Sequence, residues 1–412
     1  TPGTTGLPKG VMLTHGNFLS NIEGGLNALP VSAEDTFLSF LPLSHVFERM
    51  VGQFLAFQIG ATVAYAESVD AVADNLGEVK PTLMASVPRL FEKIYAKIMD
   101  SLEEGSPIKK ALFLWAIGVG KDALKYKQQN KSLPLLLGIQ HSLADILVYS
   151  KLKERVGGRI RFFVSGGAPL SKDIGEFFAA AGLLIIEGYG LTETSPVITV
   201  NHLDKFKFGS VGLPLFNVEV KIAEDGEILT RGPHVMKGYY HNEEATKEAI
   251  DKEGWFHTGD IGHFDEDGML IITDRKKNII VTAGGKNVAP QYIENFLVSS
   301  RYVEQAVVIG DKRKFCSALL VPNMENLTKF AEANGLGDLK PSELLKHPKV
   351  QQLYEKEVKA VSGELASYET IKKFALIEEP FSIENEQLTP TLKVKRKVVE
   401  KVYKDVIDSL YE

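Results

Sequence analysis

The chain has 412 residues, of which 44% are hydrophobic and 24% charged, a composition typical of a soluble globular protein with two or more domains. Its net charge of −6 argues against a nucleic-acid partner, and its single cysteine, Cys316, excludes a disulfide framework and a cysteine-based zinc cluster. The longest uncharged run, 50–66, is shorter than the ~20 apolar residues that a membrane-spanning helix needs. These features predict a protein of the reducing cytoplasm.

The first ten residues, Thr-Pro-Gly-Thr-Thr-Gly-Leu-Pro-Lys-Gly, have the composition of a phosphate-binding loop. The glycines let the backbone approach a bulky anion, the threonine hydroxyls can donate hydrogen bonds to phosphate oxygens, and Lys9 adds a positive charge. The spacing differs from the common NTPase loop, because Lys9 comes three residues after Gly6 and is followed by another glycine. An ordinary polar turn is the alternative.

The next segments predict α/β structure. Residues 11–29 predict a helix whose N-terminus would support a bound phosphate through its dipole. Residues 37–49 predict an apolar strand and a loop that presents His45, although a histidine among apolar residues more often packs than reacts. Residues 62–65 and 82–86 predict short buried strands, and a helix is expected at 89–103.

The region between Lys97 and Lys153 is helical and charged in pattern and carries no chemical motif. Within it, the run Gly118-Val119-Gly120-Lys121-Asp122-Ala123 mimics a dinucleotide-binding fingerprint. No strand precedes this run, so we interpret its glycines as sites of helix packing.

Two glycine-rich segments follow predicted strands, where open α/β sheets commonly hold ligands. The first is Gly166-Gly167-Ala168, after a strand that begins near Arg161. The second, at 187–196, follows a strand at 183–186 and contains three residues with suitable side chains. Tyr189 has an aromatic face for a purine, Thr192 a hydroxyl group for a phosphate, and Glu193 a hard carboxylate for Mg²⁺. A glycine-rich turn with one acid is also commonly structural.

From Val211 the hydrophobic period becomes two, with hairpin signals at Asp225-Gly226 and Asp267-Gly268, which predicts a small β-barrel-like subdomain. Between the hairpins, the segment Gly254 to Asp260 ends in a carboxylate that can accept hydrogen bonds from both hydroxyls of a ribose. The alternative is a structural aspartate in a turn, which is common. The charged run Asp274 to Asn278 predicts a domain boundary.

Residues 279–282, the run 283–287 and a helix at 290–299 are predicted to begin the C-terminal part, and strands are predicted at 303–309 and 317–321. Val394, Val398, Val402, Val406 and Leu410 recur every four residues and predict an amphipathic terminal helix. Lys395, Arg396 and Lys397 are then interpreted as a solvated helix face, with a membrane-surface role as the minor alternative.

Five motifs resemble, in order, the signatures of the acyl-adenylate-forming enzymes, and the resemblance covers essentially all of the chain. They are the N-terminal loop, Leu-Pro-Leu-Ser-His-Val-Phe-Glu-Arg at 41–49, Tyr-Gly-Leu-Thr-Glu-Thr at 189–194, Trp-Phe-His-Thr-Gly-Asp at 255–260, and Leu-Thr-Pro-Thr-Leu-Lys at 388–393. The second motif and Leu392 are similar to the long-chain acyl-CoA synthetase branch. Pro2 departs from the usual serine of that loop. The family's loop lies well inside its large domain, so this chain is expected to lack the N-terminal part of that domain.

The resemblance implies a role for each matching residue. Lys393, Thr192, Glu193 and Lys9 are implied to be catalytic, with Glu193 as the Mg²⁺ ligand. His45 is implied to position the substrate, Asp274 to be the hinge, and Gly284 and Gly285 to lie near CoA. The implied nucleotide-binding residues are Thr1, Gly3, Thr4, Thr5, Gly6, Gly166, Gly167, Ala168, Gly188, Tyr189, Gly190, Thr192, Asp260, Arg275 and Lys393.

The implied fold is a multi-domain α/β protein. Its large AMP-binding domain comprises an α/β part at 1–210 and the β-barrel-like subdomain at 211–273, and a mobile α+β domain follows at 274–412. The implied function is a long-chain fatty-acid–CoA ligase that uses ATP, Mg²⁺ and CoA. Adenylation of another carboxylic acid, as in peptide synthetases, and a non-catalytic nucleotide- or lipid-binding fragment are the alternatives. Homodimer formation and chain-length preference stay open.

Overall fold

A computed structural model describes residues 9–129, 131–276, 278–361, 365–388 and 394–412. Internal contacts divide the chain into a first unit, Thr1–Ile272, and a second unit, Thr273–Glu412. Among the helices of these described ranges, none combines the length and hydropathy that crossing a bilayer requires.

The first unit contains most of the regular structure. Its strands are β1 (Val11–Met12), β2 (Thr36–Ser39), β3 (Thr62–Tyr65), β4 (Leu83–Ser86), β5 (Phe162–Ser165), β6 (Ile185–Gly190), β7 (Val197–Val200), β8 (Leu213–Pro214), β9 (Glu219–Ile222), β10 (Glu227–Arg231), β11 (Gly238–Tyr239), β12 (Phe256–Phe264) and β13 (Leu270–Arg275), the last of which runs across the division. Its helices are α1 (His15–Ala28), α2 (Leu55–Ile59), α3 (Val72–Val79), α4 (Pro88–Glu103), α5 (Pro107–Gln128), α6 (Leu135–Ala144), α7 (Ser150–Arg155), α8 (Lys172–Ala180) and α9 (Glu243–Ala249). Two π-helical segments, Glu48–Phe54 and Asp145–Tyr149, and a 3₁₀ turn, Thr192–Thr194, complete it.

A seven-stranded sheet with the order β3-β2-β4-β5-β6-β7-β8 forms the centre of the first unit. The strands from β3 to β6 are parallel, and β7 and β8 run antiparallel to their neighbours. Central strands β4 and β5 are buried along their whole length, as expected of parallel strands that are covered on both faces. The pairing aligns Ser165 with Ser86 on one side and with Glu187 on the other, so the carboxyl ends of these strands share one edge.

The β-rich stretch after Val211 forms an antiparallel sheet with the order β13-β12-β10-β9. In β12 the residues alternate between buried and half-buried positions, and Phe256, Thr258 and Asp260 share the buried side. This period of two is the pattern that the sequence predicts for the region. Asp260 therefore lies in a strand, not in the turn that was considered as its alternative setting.

Helices α4 to α7 confirm the helical interpretation of the central region. The fingerprint-like run at 118–123 lies in the middle of α5, which explains why no strand precedes it. Residues of α4, α5 and α8 contribute to one hydrophobic core on a face of the central sheet, whereas α1 and the π-helical segment Glu48–Phe54 contribute to the core on the other face.

The second unit is an α+β domain. Its strands are β14 (Ile280–Val281), β15 (Asn287–Val288), β16 (Val303–Ile309), β17 (Cys316–Pro322) and β18 (Ile371–Leu376), and its helices are α10 (Pro290–Val298), α11 (Met324–Ala333), α12 (Pro341–Leu344), α13 (Pro348–Val361), α14 (Arg396–Val402) and α15 (Lys404–Ser409). Strand β17 lies between antiparallel β16 and parallel β18 and is buried along its whole length. Burial raises the pKa of the Cys316 thiol in this strand to about 11.

The N-terminal helix was predicted too early. It begins at His15, because Thr14 and Asn17 form a capping box in which the Asn17 N–H donates to the Thr14 hydroxyl at 3.1 Å. The preceding residues Val11–Met12 pair with β11 instead. The helix N-terminus therefore lies five residues beyond Gly10, and its support of a bound phosphate stays a prediction because residues 1–8 lie outside the described residues.

Three other predictions also need correction. Strand β3 is half-exposed, because it is an edge strand of the sheet. The strand predicted at 183–186 runs on to Gly190, because Gly188 and Tyr189 pair with β7. In the terminal region, Val399 and Ile407 are buried whereas Val402 is 56% exposed, so the predicted valine stripe is not the packed face. The chain forms two short helices there, and the buried positions are those that meet the core of β16 and β17.

Candidate functional site

The carboxyl ends of β5 and β6 bring two predicted ligand loops to one sheet edge. Gly166, Gly167 and Ala168 directly follow β5, while Gly188 and Tyr189 continue β6 beyond the residue that pairs with Ser165. A Cβ atom at Gly166 would approach the Phe47 ring to 3.1 Å, so the first of these positions needs a small residue. Gly167 and Ala168 are exposed at the edge of the sheet, where a ligand can reach them.

The tight turn after β6 positions Thr192 and Glu193. At Gly190 a Cβ atom would collide with the carbonyl oxygen of Pro196, which explains why a glycine ends the strand. Thr194 holds the turn closed, because its hydroxyl accepts a hydrogen bond from the Leu191 N–H at 2.9 Å and donates to the Pro196 carbonyl at 2.5 Å. Thr192 is half-buried and Glu193 is almost fully buried in this turn.

Tyr239 connects Glu193 with the end of the N-terminal loop. Its hydroxyl donates to Glu193 Oε1 at 2.9 Å, and the ammonium group of Lys9 lies 4.8 Å from the centroid of its ring. Strand β11, which carries Tyr239, pairs with Val11 and Met12 immediately after the loop, and the Tyr240 N–H donates to the Gly10 carbonyl at 2.7 Å. A cation and a carboxylate are thus held on two sides of one aromatic side chain.

Burial and the adjacent Glu193 carboxylate raise the pKa of Tyr239 well above its usual range. The phenol therefore stays protonated and remains a hydrogen-bond donor. It engages Oε1 of Glu193, and we expect Oε2 to be the oxygen that takes a ligand. A single hard carboxylate oxygen fits Mg²⁺ that arrives with nucleotide phosphates, because this ion keeps most of its water and phosphate ligands. The described residues contain no cluster of three or more potential metal ligands.

Tyr189 and Asp260 meet although 71 residues separate them in the chain. The Tyr189 hydroxyl donates to Asp260 Oδ2 at 2.7 Å, and the backbone N–H of Asp260 donates to the Thr258 hydroxyl at 3.1 Å. The contact connects β6 of the large sheet with β12 of the antiparallel sheet. It orients both a buried carboxylate and an aromatic ring, which are the groups predicted to contact the ribose and the purine.

The segment that presents His45 contains a buried acid that the sequence analysis did not single out. His45 itself is exposed, and its Nδ1 atom accepts the Phe47 N–H at 3.3 Å. Glu48 is fully buried, and neither carboxyl oxygen has a hydrogen-bond partner among the described residues. Burial raises the pKa of Glu48 to about 7, an effect that the nearby Ser39 hydroxyl only partly offsets.

In the second unit, Asp274 accepts two backbone N–H groups. Arg275 donates to its Oδ1 at 2.5 Å and Gln291, in the first turn of α10, donates to its Oδ2 at 3.2 Å. Burial nevertheless raises the pKa of Asp274 to about 6, and the nearby Glu294 carboxylate acts in the same direction. This buried and strongly bonded setting is suited to a residue that fixes the start of the unit.

Arg396 is an anchor and not part of a solvated face, which corrects its interpretation from the sequence. Its guanidinium group forms an ion pair with Glu294 of α10 at 2.7 Å and donates to the Val308 carbonyl at 2.5 Å, and the side chain is only 17% exposed. The described residues that flank 389–393 are also paired, because Leu388 and Val394 form a β-bridge and the Lys395 N–H donates to the Gln387 carbonyl at 2.8 Å. Lys395 and Lys397 are exposed, as predicted.

Six predicted site residues, Thr1, Gly3, Thr4, Thr5, Gly6 and Lys393, lie outside the described residues, as do Pro2 and Leu392. Of the others, the first unit brings Lys9 to Glu193 through Tyr239, and Tyr189 to Asp260. Gly284 and Gly285 lie in an exposed turn between β14 and β15. Arg275 is half-buried next to Asp274.

Sequence reasoning missed Tyr239, Glu48 and Arg396. The run Lys-Gly-Tyr-Tyr-His at 237–241 has an aromatic pair after a glycine, but nothing local indicates that a carboxylate 46 residues earlier is the partner. Glu48 has a local signal, since an acid between Phe47 and Met50 in an apolar segment predicts either a solvated helix face or a buried carboxyl.

Comparison with known proteins gives matches over the whole chain. Residues 1–240 match the family model described as AMP-binding enzyme, and residues 277–412 match the model of the AMP-binding enzyme C-terminal domain. A long-chain-fatty-acid–CoA ligase of Mycobacterium bovis is 39% identical in an alignment that covers 100% of this chain and 68% of that protein. The peroxisomal long chain acyl-CoA synthetase 6 of Arabidopsis thaliana is 37% identical, with 100% and 60% covered.

Among solved structures, O-succinylbenzoate coenzyme A synthetase of Bacillus subtilis in complex with ATP and magnesium ion is similar to this chain with a TM-score of 0.65 and 26% identity. The superposition covers 96% of this chain and 68% of that one. The chain thus spans between 60% and 68% of the lengths of these three proteins.

Proposed function

The chain belongs to the family of AMP-binding enzymes, and we propose that it is a long-chain fatty-acid–CoA ligase. In the proposed reaction, ATP activates the fatty acid as acyl-AMP with release of pyrophosphate, and CoA then displaces AMP to give acyl-CoA. The identity of 39% to a ligase of this specificity, over the whole chain, supports the substrate class. Adenylation of another acid and a non-catalytic binding fragment are not favoured, because the two relatives that are 37% and 39% identical over the whole chain are named as a long-chain acyl-CoA synthetase and a long-chain-fatty-acid–CoA ligase.

The first step needs activation because a carboxylate is unreactive toward a thiol and has no good leaving group. A carboxylate oxygen of the fatty acid attacks the α-phosphorus of ATP, a new C–O–P linkage forms, and the bond to pyrophosphate breaks. Negative charge accumulates on the phosphoryl oxygens during this displacement, so positive groups positioned around them lower the barrier. We assign this role to Lys9, to the N-terminal loop and to Lys393, with Thr192 as a hydroxyl donor to the α-phosphate.

One observation carries the assignment of this site: Lys9 and Glu193 lie on two sides of Tyr239, at the point where the N-terminal loop ends. A cation and a carboxylate that both contact Tyr239 are suited to bind phosphates directly and through a divalent ion, respectively. Mg²⁺ bound at Glu193 would supply charge neutralisation to the β- and γ-phosphates. Tyr189 and Asp260 are proposed to hold the adenosine, with the carboxylate accepting hydrogen bonds from the ribose hydroxyls.

In the second step the CoA thiol attacks the acyl carbonyl, the acyl–phosphate bond breaks and AMP leaves. A rotation about Asp274 that withdraws Lys393 and presents Gly284 and Gly285 to CoA is part of the proposal. The bonding of Asp274 to Arg275 and to the first turn of α10 supports a fixed pivot at this position.

The test is fatty-acid-dependent exchange of labelled pyrophosphate into ATP, followed by thioester formation from pre-made acyl-AMP. The proposal predicts exchange that increases with acyl chain length, and it predicts that Lys393→Ala suppresses exchange far more than thioester formation. Lys395→Ala is the matched control, because Lys395 is exposed and carries the same charge two residues away. Absence of exchange with every fatty acid, from folded protein that binds ATP, would contradict the proposal, and equal loss in both half-reactions would contradict the role of Lys393.

A further inference from the structure

The helical hairpin of α5 and α6 exposes an unusual number of large apolar side chains. On α6 and the π-helical segment that continues it, Leu135 is 84% exposed, Leu136 69%, Ile139 52%, Leu143 48%, Ile146 71% and Leu147 36%. Helix α5 adds Ile108, Leu114 and Trp115, which are 81%, 48% and 38% exposed. A monomeric soluble protein seldom leaves so many neighbouring large apolar side chains in water, so this surface needs an explanation.

The exposed apolar side chains of α6 and its continuation form one face of the helix, separate from the face that packs on the core. At the helical period of 100° per residue, the six exposed positions of α6 and its continuation fall within about one third of the helix circumference. Ala144, Val148 and Tyr149 lie outside this arc and are buried, and the Tyr149 hydroxyl donates to the Ala116 carbonyl of α5. The segment is therefore anchored through one face and presents a second apolar face outward.

The same hairpin is strongly basic within an acidic protein. Residues 106–149, which comprise the hairpin and the π-helical segment that continues it, contain six lysines and two acidic residues, a net charge of +4, whereas the whole chain has a net charge of −6. Both acids are paired, Asp122 with Lys125 and Asp145 with Lys153 of α7, each at 2.8 Å. Two of the lysines are also paired with acids outside the hairpin, Lys110 with Glu103 at 2.8 Å and Lys121 with Glu176 at 3.6 Å. Lys125 and Leu136 line the same surface depression, so basic and apolar groups are neighbours on this surface.

We propose that this surface, formed by the described residues of α5, α6 and the segment Asp145–Tyr149, docks onto an anionic membrane surface. Exposed leucine and isoleucine side chains would enter the boundary between headgroups and acyl chains, and Lys127 of α5 and Lys131, which lies between α5 and α6, would contact anionic headgroups. Trp115 has the amphipathic ring that is favoured at such a boundary.

The distribution of charged and apolar residues argues against a second copy of the chain and against a nucleic acid as the partner of this surface. A twofold contact between two copies would place two segments of net charge +4 against each other, and their repulsion would oppose association. A nucleic acid would use the lysines but gain nothing from the apolar stripe, which would stay in water. Of these three occupants, the anionic lipid surface is the one that matches both the lysines and the apolar stripe.

This inference goes beyond the proposed function, although the two are compatible, since a long-chain fatty acid partitions into bilayers. Docking through the hairpin would bring the enzyme to the phase that holds its substrate. Lipid binding can be measured without ATP, CoA or turnover, so failure of the docking and failure of the ligase assignment are distinguishable.

The experiment is co-flotation of the whole chain with vesicles of phosphatidylcholine alone or of phosphatidylcholine mixed with phosphatidylglycerol. We expect binding to the anionic vesicles that decreases with salt. Lys127→Gln combined with Lys131→Gln should weaken it about 25-fold, from about 5-fold for each lysine near an anionic surface. Leu136→Ser combined with Ile146→Ser should weaken it at least about tenfold, because two large apolar side chains no longer enter the lipid.

Val402→Ser is the matched control, because Val402 is also a large exposed apolar residue but lies on α14 in the second unit. Tryptophan fluorescence gives an independent readout, since Trp115 is exposed whereas Trp255, the other tryptophan, is buried. The emission should shift to shorter wavelength with anionic vesicles only. Equal binding of the wild type and both double variants, or no binding to anionic vesicles at low salt, would overturn the proposal. Loss of a dimer in Leu136→Ser without vesicle binding would instead identify the surface as a contact between copies.

Discussion

The hydroxyl of Tyr239 donates a hydrogen bond of 2.9 Å to Oε1 of Glu193, across 46 residues of sequence. The bond fixes the rotation of a carboxylate that is almost completely buried, and the same tyrosine ring carries the Lys9 ammonium group on its face. Tyr239 is therefore a positioning residue for both charged groups of the proposed phosphate site. It acts through Glu193 and Lys9 and needs no contact with the substrate of its own.

Tyr239→Phe should raise the Mg²⁺ concentration needed for half-maximal pyrophosphate exchange by about 10-fold or more. The phenylalanine ring keeps the packing and the face beneath Lys9 but removes a hydrogen bond to a charged group, which is worth about 1.5–3 kcal/mol. Exchange rates measured at a series of Mg²⁺ concentrations, with ATP saturating, check this expectation.

Tyr240→Phe is the control for Tyr239→Phe, because Tyr240 is adjacent and 63% exposed. It should leave the Mg²⁺ dependence unchanged. If Tyr239→Phe lowers the rate equally at every Mg²⁺ concentration, the hydroxyl does not position a metal-binding carboxylate.

Asp260→Asn should weaken ATP binding by about 10- to 100-fold. The amide retains the size of the side chain but loses the charge that makes hydrogen bonds from ribose hydroxyls strong, and each such bond contributes about 1.5–3 kcal/mol. Titration calorimetry with ATP, in the absence of fatty acid and CoA, measures the effect directly.

Asp204→Asn makes the same chemical change at an exposed position and should leave ATP affinity at the wild-type value. Tyr189→Phe should have a smaller effect than Asp260→Asn, because it keeps the aromatic ring and removes only the hydrogen bond to the carboxylate. Unchanged affinity in Asp260→Asn would remove this aspartate from the nucleotide site.

The strongest predictions from the sequence were those that depend on local pattern. Strands such as Phe162–Ser165 and Val303–Ile309 and the helix that begins at Pro88 follow from runs of apolar residues and from proline at the first helical turn. The motif at 189–194 also identified the tight turn that presents Glu193, because its glycine and threonine spacing is specific.

Relations between distant segments could not be read from those patterns. Nothing near Tyr239 or Arg396 indicates that their partners are Glu193 and Glu294, since each contact is created by the packing of separate elements. The valine repeat between Val394 and Leu410 predicted the wrong buried face, because it assumed a single continuous helix. The helix breaks at Tyr403, so buried Val399 and Ile407 lie on different helices and no single helical period connects them.

Arg396→Gln and Glu294→Gln should each lower the free energy of unfolding by about 3 kcal/mol, because each leaves a largely buried partner charge without its counterion. The double variant should lose less than the sum of the single variants, since no unpaired charge remains. Urea unfolding of the four proteins gives the coupling energy.

The same pair should also affect the first half-reaction. Arg396 fixes the chain three residues after Lys393, so Arg396→Gln should slow pyrophosphate exchange without changing ATP affinity. Lys397→Gln, at an exposed neighbouring position, is the control. If Arg396→Gln lowers stability but leaves exchange at the wild-type rate, the ion pair is structural only.

Glu48→Gln should remove a pH dependence of stability. The folded-state pKa of Glu48 is raised to about 7 from an ordinary value of 4.5, so the folded protein holds a proton that the unfolded chain has already released in this range. The contribution of Glu48 to stability therefore falls as the pH rises from about 4.5 to 7, and above pH 7 the folded protein must keep an ionised carboxylate buried.

A neutral glutamine does not titrate, so between pH 5 and pH 8 the free energy of unfolding of the wild type should decrease by about 2–3 kcal/mol more than that of Glu48→Gln. Urea unfolding at both pH values measures this difference, and Glu34→Gln, at an exposed position, should follow the wild type. Glu187 and Asp274, whose pKa values are also raised, contribute equally to both proteins and cancel in the comparison. Parallel pH profiles for the wild type and Glu48→Gln would mean that Glu48 is ionised, and stabilised, in the folded protein.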